Sequence, residues 1–324
     1  KGCDALAIPH NSNISSGRMF DLVDSDGQLI SAAYANTRMR WEPVVETTQF
    51  KGDSESHPFL SPDDEFADYE QFILAGQKPL PGSYVRNGLM RGLSIEQQTG
   101  VNPYQFGQIG ASDSHTGLAS IDEDNFHGKW AAEATPAQLL ADDKAGGLGA
   151  RMGAAGLAAV WADNNTREEL FAAFKRREVY ATTGTRLNVR FFASEQFRPN
   201  DIRARDMVAV GYKKGVSMGG SLSRNAVLAS ENKAPSFLVS AVKDPQGANL
   251  DRIQIIKGWL DRKGGSHEKI YNVALSNDRA SDAQGYVPPV GDTVDRSTAT
   301  YSNSIGAMQL ASYWVDPDYS EAQA

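Results

Sequence analysis

Gln108-Ile109-Gly110-Ala111-Ser112-Asp113-Ser114-His115-Thr116-Gly117 runs from a short apolar stretch directly into an Asp-x-His pair. The apolar part, bounded by turn-forming residues, predicts a strand over 105–111. If the chain stays extended beyond it, side chains two apart point the same way, so Asp113 and His115 can reach one ion together. A second strand-like run, 3–9, passes through Ile8-Pro9 into His10-Asn11-Ser12-Asn13. Two imidazole-bearing strand ends suggest a β/α architecture, in which the carboxyl ends of strands carry the active site.

The rest of the first 190 residues has the matching rhythm. Strand-like runs at 43–50 and 157–161 alternate with helical patterns at 63–76, 83–98, 135–145 and 166–177, the signature of repeated β/α units. The helix at 166–177 has the clearest punctuation: Asn165 or Thr166 to cap it, Glu168 and Glu169 in its first turn, and Lys175, Arg176 and Arg177 in its last. The glycine-rich segment 146–156 reads as a loop and lacks the Gly-Lys-Ser/Thr ending of a phosphate loop. From about 187 the pattern changes to alternating, β-branched runs at 187–193, 236–242, 251–259 and 269–275. The expected fold class is therefore α/β: part of a β/α barrel over 1–190 and an appended, mostly antiparallel β unit over 191–324.

Composition narrows the chemistry. With 40 acidic against 32 basic residues the net charge is −8, which opposes binding to a nucleic-acid backbone through a general positive surface. No apolar run is long enough for a membrane span. The single cysteine, Cys3, excludes an internal disulfide and a cysteine-rich zinc site, so any metal is held by His and carboxylates.

Further candidates cluster near strand ends. In Glu46-Thr47-Thr48-Gln49-Phe50-Lys51-Gly52-Asp53-Ser54-Glu55, Lys51, Asp53 and Glu55 share one face if the strand continues. Lys51 is then a candidate to stabilise an oxyanion, and Asp53 or Glu55 to orient a metal-bound histidine. A solvated charged turn is the plainer alternative. Thr182-Thr183-Gly184-Thr185-Arg186 offers hydroxyls and a planar cationic fork for a phosphate or carboxylate. Asn11, Asn13, Trp130, Thr185 and Arg186 are candidate pocket or substrate contacts. His57, His127 and His267 read as loop or strand-edge residues.

Four of these runs, Ala5–Asn13, Phe50–Glu55, Ile109–His115 and Arg177–Gly184, together resemble a bacterial metallohydrolase family within the polymerase and histidinol phosphatase (PHP) superfamily. That family is largely described as of unknown function and includes carbaryl hydrolase. The likeness extends into Ile253–Trp259. It implies a distorted PHP-like, TIM-type barrel whose strand ends hold two or three divalent ions, manganese, zinc or iron. His10 matches the superfamily's later single-His motif, and Asp113 and His115 match its closing Asp-x-His motif. The opening His-x-His motif and the ligands that follow it have no counterpart in these 324 residues, so the chain is expected to be the later part of a longer protein.

The resulting expectation is a divalent-metal-dependent hydrolase that uses activated water on a phosphoester, carboxylic ester or carbamate. Its expected metal ligands are His10, Asp113 and His115. Lys51, Arg186 and His115 are its expected catalytic groups, with His115 or an upstream histidine passing a proton to the leaving group. The small-molecule ester would be its partner, without nucleic acid or membrane, and a homo-oligomer is compatible with the composition. The resemblance favours a periplasmic or secreted protein over a cytoplasmic one. The alternative from another class is a noncatalytic binding or structural module derived from such a barrel.

Overall fold

The computed structural model describes residues 4–72, 74, 76–117, 129–130, 152, 155–282 and 285–320. It separates into two compact units, Lys1–Thr185 with Gly258–Leu260, and Arg186–Lys257 with Asp261–Ala324. The boundary expected at 190 falls inside a strand of the second unit, Asn188–Ser194. Secondary structure is mixed α/β, and the sheets are small and unclosed among the described residues. No described helix is long and apolar enough to cross a membrane.

In the first unit, strand β1 (Val44–Gln49) lies between β2 (Gly52–Asp53), antiparallel to it, and β3 (Gly107–Gly110), parallel to it. A parallel pair delivers both carboxyl ends to the same edge, which places the segment after Gln49 beside the segment after Gly110. The β1–β3 register pairs Glu46 with Ile109 but Thr48 with Gly110. Two residues of β1 thus advance against one of β3, the two-against-one count of a β-bulge. In a regular strand Glu46 and Gln49 would face opposite sides. The bulge reverses that alternation and brings both to one site.

Beside this sheet, β4 (Leu157–Val160) and β5 (Val179–Thr182) form an antiparallel pair. Gly110 makes their approach possible: a Cβ there would stand 2.7 Å from the backbone N and O of Leu157 and 2.8 Å from Thr182 O. Gly110→Ala is accordingly expected to lower unfolding stability by roughly 1–3 kcal/mol. Urea denaturation reads this directly, and an unchanged midpoint would show that the strands do not depend on the contact.

Helices α1 (Ala32–Trp41) and α2 (Val85–Thr99) complete the main core. The spacing of Val85, Gly88, Gly92 and Ile95 puts one face of α2 inward, against a cluster that includes Phe20, Ile30, Val45, Tyr104 and Phe106. Helix α3 (Arg167–Arg176) follows its sequence signals: the Thr166 hydroxyl accepts from Glu169 N–H, and Arg177 closes the helix in the left-handed region.

Three expectations for this unit change. Residues 4–9 form no regular strand, and Ile8 is exposed. Backbone bonds from Ala7 N–H to Trp41 O and from Glu46 N–H to Pro9 O hold the segment instead. The helix expected over 63–76 is a series of turns in its described residues. Asp64 accepts from Phe66 N–H and pairs with Arg86 at 2.8 Å, drawing the segment towards α2 rather than into a helix of its own. Helix α1 has no counterpart among the sequence expectations. The helix expected at 135–145, His127, and all of the 146–156 loop except 152, 155 and 156 lie outside the described residues.

The second unit is largely antiparallel, as its alternating runs predict. Strands β6 (Asn188–Ser194), β7 (Val216–Ser217), β8 (Ser236–Val242) and β13 (Gln309–Val315) form a sheet in the order β13-β8-β6-β7. Helix α4 (Met207–Lys214) packs Gly211 onto Phe192, within a core of Phe192, Phe197 and Leu238. Helix α5 (Arg224–Ala229) is a short element before β8. Strand β10 (Ser266–Leu275) forms a separate two-stranded sheet with β9 (Arg252–Leu260), of which Arg252–Lys257 belong to this unit, and β11 (Val294–Asp295) with β12 (Thr300–Tyr301) a shorter antiparallel one.

Candidate functional site

At the shared carboxyl edge of β1 and β3, five sequence candidates come together: His10, Asn11, Lys51, Asp113 and His115. Glu46, in the bulged part of β1, accepts from His10, whose Nδ1 is 2.9 Å from each carboxylate oxygen. The backbone N–H of Asn11 donates to the same carboxylate at 3.3 Å. Both Asn11 and Asp113 sit at positive φ, 54° and 53°, a conformation that Asn and Asp tolerate better than most residues. The extended geometry expected across Asp113-x-His115 is therefore absent. A turn still leaves His115 Nε2 3.2 Å from Asp113 Oδ1. His10 Nε2 approaches the same oxygen at 3.9 Å.

The other oxygen of Asp113 carries the positive charge of the site. Lys51 Nζ lies 2.5 Å from Oδ2, and Lys129 Nζ donates to the same atom. Gln49 Nε2 adds a third donor at 3.0 Å. Lys129 is fully buried, at 1% exposure, and its Nζ also donates to Asp113 O at 2.5 Å. Burial raises the Asp113 carboxyl, but the hydrogen bonds from Lys129 and Lys51 outweigh it and hold the group well below the usual carboxylate range. Lys129 is itself lowered, by burial first and also by the adjacent Lys51 ammonium, against the pull of Asp113.

The hydrogen bonds define both imidazoles. Lys51 N–H donates to Gln49 Oε1 at 2.5 Å, which leaves Nε2 of that amide as the donor to Asn11 Oδ1 and Asp113. Asn11 then turns its own Nδ2 to His10 Nε2, at 2.6 Å. His10 Nε2 therefore accepts, and its Nδ1–H donates to Glu46. On the other ring, Trp130 Nε1–H donates to His115 Nδ1 at 3.0 Å. Indole is a donor only, so neutral His115 carries its hydrogen on Nε2 and donates to Asp113.

These assignments test the expected ligands. Among the described residues no group of three or more His, Cys, Asp or Glu is arranged as a metal site. His10 nevertheless fits a ligand: a carboxylate holds its Nδ1–H, and the Nε2 lone pair, which accepts from Asn11 Nδ2, becomes available to an ion once that amide moves aside. Ionised Asp113 fits as well. His115, as placed, presents an N–H where a ligand needs a lone pair, so it would have to adopt its other tautomer and release Trp130. The two rings are half-exposed, at 46% and 51%, which leaves the site open to solvent.

The remaining candidates have other partners. Asn13 is buried, donating through Nδ2 to Lys51 O at 2.9 Å and Phe72 O at 3.2 Å. Lys51, Asp53 and Glu55 do not share a face, because Gly52, at φ 85°, turns the chain between the first two. Asp53 instead lies buried beside Thr48, accepting from Glu55 N–H at 2.6 Å, while Glu55 pairs with Arg86 at 2.8 Å. The carboxylate that orients His10 is thus Glu46, not Asp53 or Glu55. Burial, and then the Glu55 charge, push the Asp53 carboxyl up to about 7, and burial with Asp53 nearby pushes Tyr84 up to about 12. Thr185 Oγ1 has no hydrogen-bond partner among the described residues. Arg186 opens the second unit, where its backbone N–H donates to Asp244 Oδ2 at 2.6 Å. His57 lies against Tyr84, and His267 pairs with Asp261 at 2.8 Å, as loop and strand-edge residues do.

Glu46, Gln49 and Lys129 are site residues that the sequence expectations omit, and Trp130 has a more defined position than a pocket wall. Glu46 and Gln49, the long polar side chains of a strand that opens on Val44-Val45, were the available signal. Lys129 carries none, since its pairing with Asp113 spans sixteen positions of chain without a motif.

No curated protein and no solved structure matches the chain. A family described as "Protein of unknown function (DUF3604)" matches it over residues 1–324. The chain therefore belongs, along its whole length, to the DUF3604 family.

Proposed function

We propose that this chain supplies part of the catalytic centre of a divalent-metal-dependent hydrolase acting on a phosphoester, carboxylic ester or carbamate. The carrying observation is the line Glu46–His10–Asp113: a carboxylate fixes one nitrogen of an imidazole while the other faces an ionised carboxylate. The resemblance to PHP metallohydrolases supports the same reading, and the parallel β1–β3 pair with its polar carboxyl edge suits a segment of such a barrel.

His10 and Asp113 would hold the metal. A divalent ion lowers the pKa of bound water from about 15.7 towards 7, making hydroxide available at neutral pH. Lys51, whose ammonium already lies at Asp113, would stabilise negative charge developing on the substrate. The Nε2–H of His115, oriented by Trp130, suits it to donate a hydrogen bond to the leaving-group oxygen; giving up a proton there would require the imidazolium form, in which Nδ1 also carries hydrogen and Trp130 is released. Ligation is reserved for its other tautomer.

The test loads the full chain with Mn²⁺ or Zn²⁺, measures bound metal, and screens a nitrophenyl phosphate, a phosphodiester, a carboxylic ester and an aryl carbamate. At least one metal equivalent is expected, with turnover of one substrate class falling more than about 100-fold in His10→Ala and Asp113→Asn. Less than one equivalent, or variants that match the wild type, would remove the proposal.

A further inference from the structure

We propose that Gln49 is a positioning residue that sets the tautomer of His10 and the orientation of Asp113. This rests on the metal-site reading above, but its first test does not need the metal. Gln49 is 2% exposed, and its amide serves three partners through both polar atoms: Lys51 N–H, Asn11 Oδ1 and Asp113 Oδ2. The end bearing Oε1 is not a matter of choice, since a backbone N–H can only donate. From that one constraint the others follow in sequence. Gln49 must donate to Asn11, Asn11 must donate to His10 Nε2, and His10 must donate from Nδ1 to Glu46.

A backbone amide at Lys51 thereby determines which nitrogen of a ring 41 positions earlier carries the lone pair and which the hydrogen. Gln49 also joins the two left-handed residues, Asn11 and Asp113, across which the metal site would form. The β1 bulge places Glu46 and Gln49 on this side together, so one strand holds both ends of the imidazole's hydrogen-bond chain.

Gln49→Glu tests the direction of the chain. The new carboxylate still accepts from Lys51 N–H but cannot donate. Asn11 must then reverse, turning Nδ2 to residue 49 and Oδ1 to His10, and Nε2 of His10 must carry hydrogen. Gln49→Met keeps the approximate volume and removes every hydrogen bond, which separates positioning from packing.

The experiment uses the full chain labelled with ¹⁵N-histidine, metal-free, with the His10 resonances identified by their loss in His10→Ala. In the wild type the His10 Nε2 is expected to show the shift of an unprotonated nitrogen, and in Gln49→Glu that of a nitrogen bearing hydrogen. Zn²⁺ titration is then expected to show affinity about 10–100-fold weaker in both Gln49→Glu and Gln49→Met. An unprotonated Nε2 in Gln49→Glu, or wild-type affinity in Gln49→Met, overturns the role of Gln49. Failure of the metal reading looks different: the wild type binds no Zn²⁺ while the tautomer change in Gln49→Glu still occurs.

Discussion

Asp113→Ala is expected to destabilise the chain by about 3–5 kcal/mol, the cost of leaving a buried charge without its counter-ion. Two ammonium groups converge on one oxygen of this carboxylate, and Lys129 is fully buried. Removing the carboxylate leaves Lys129 with the backbone carbonyl of residue 113 and the repulsion of Lys51. A second substitution distinguishes this cause from general disruption. Adding Lys129→Met to Asp113→Ala should restore much of the loss, because an apolar side chain tolerates the buried position that an unpaired ammonium does not. Urea denaturation of the four proteins of this cycle gives the coupling energy. Simple additivity of the two substitutions would mean that the ion pair does not stabilise the fold. The same carboxyl sets an acid limit. Its pKa lies below the unfolded value, so its contribution is present above about pH 4 and is lost as pH falls towards the folded value.

Asp53 predicts the opposite slope in a different window. Its carboxyl, pushed up to about 7 by burial and the Glu55 charge, binds a proton more tightly in the folded chain than in the unfolded one. Stability from this group is thus complete below the unfolded pKa of about 3.9 and is lost as pH rises through about 7. Ionisation at pH 8 places a charge beside Glu55 in a site only partly compensated by Arg86, Thr48 and the Glu55 N–H. Asp53→Asn should therefore remove the decline, leaving the variant more stable than the wild type at pH 8 by on the order of 3 kcal/mol. At pH 4 the difference should be small. Unfolding curves at several pH values decide the matter, and parallel profiles for the two proteins would exclude Asp53 as the titrating group. Because Asp53 contacts none of His10, Asp113 and His115 among its named partners, metal affinity should not change with it.

How far the sequence reaches is clear from the ligand segments. The sequence singles out His10, Asp113 and His115 as strand-end residues; Asp113 and His115 do follow β3, whereas no regular strand precedes His10, and the three approach one another by turns at Asn11 and Asp113 rather than by the alternation of an extended chain. The alternating runs after 187 correctly anticipate an antiparallel unit, and the Thr166, Glu168 and Arg176 signals delimit α3 closely. These features are local: a cap, a period of two, a hydroxyl three residues from its donor. Residues 63–72 show where local preference fails, since Asp64 finds a stronger partner in Arg86 than in a helix of its own.

By itself, then, the sequence determined the mixed α/β class, the antiparallel second unit and five members of the candidate site, His10, Asn11, Lys51, Asp113 and His115. Only the tertiary structure decided their second partners and protonation. Glu46 supports His10 because a bulge reverses the pleat of β1, and periodicity cannot show one extra residue. Lys129 meets Asp113 because the chain returns to it, which no spacing records. The tautomers of His10 and His115 depend on the donors that surround them, Asn11 and Trp130, and a hydrogen's position on an imidazole exists only once those neighbours are in place.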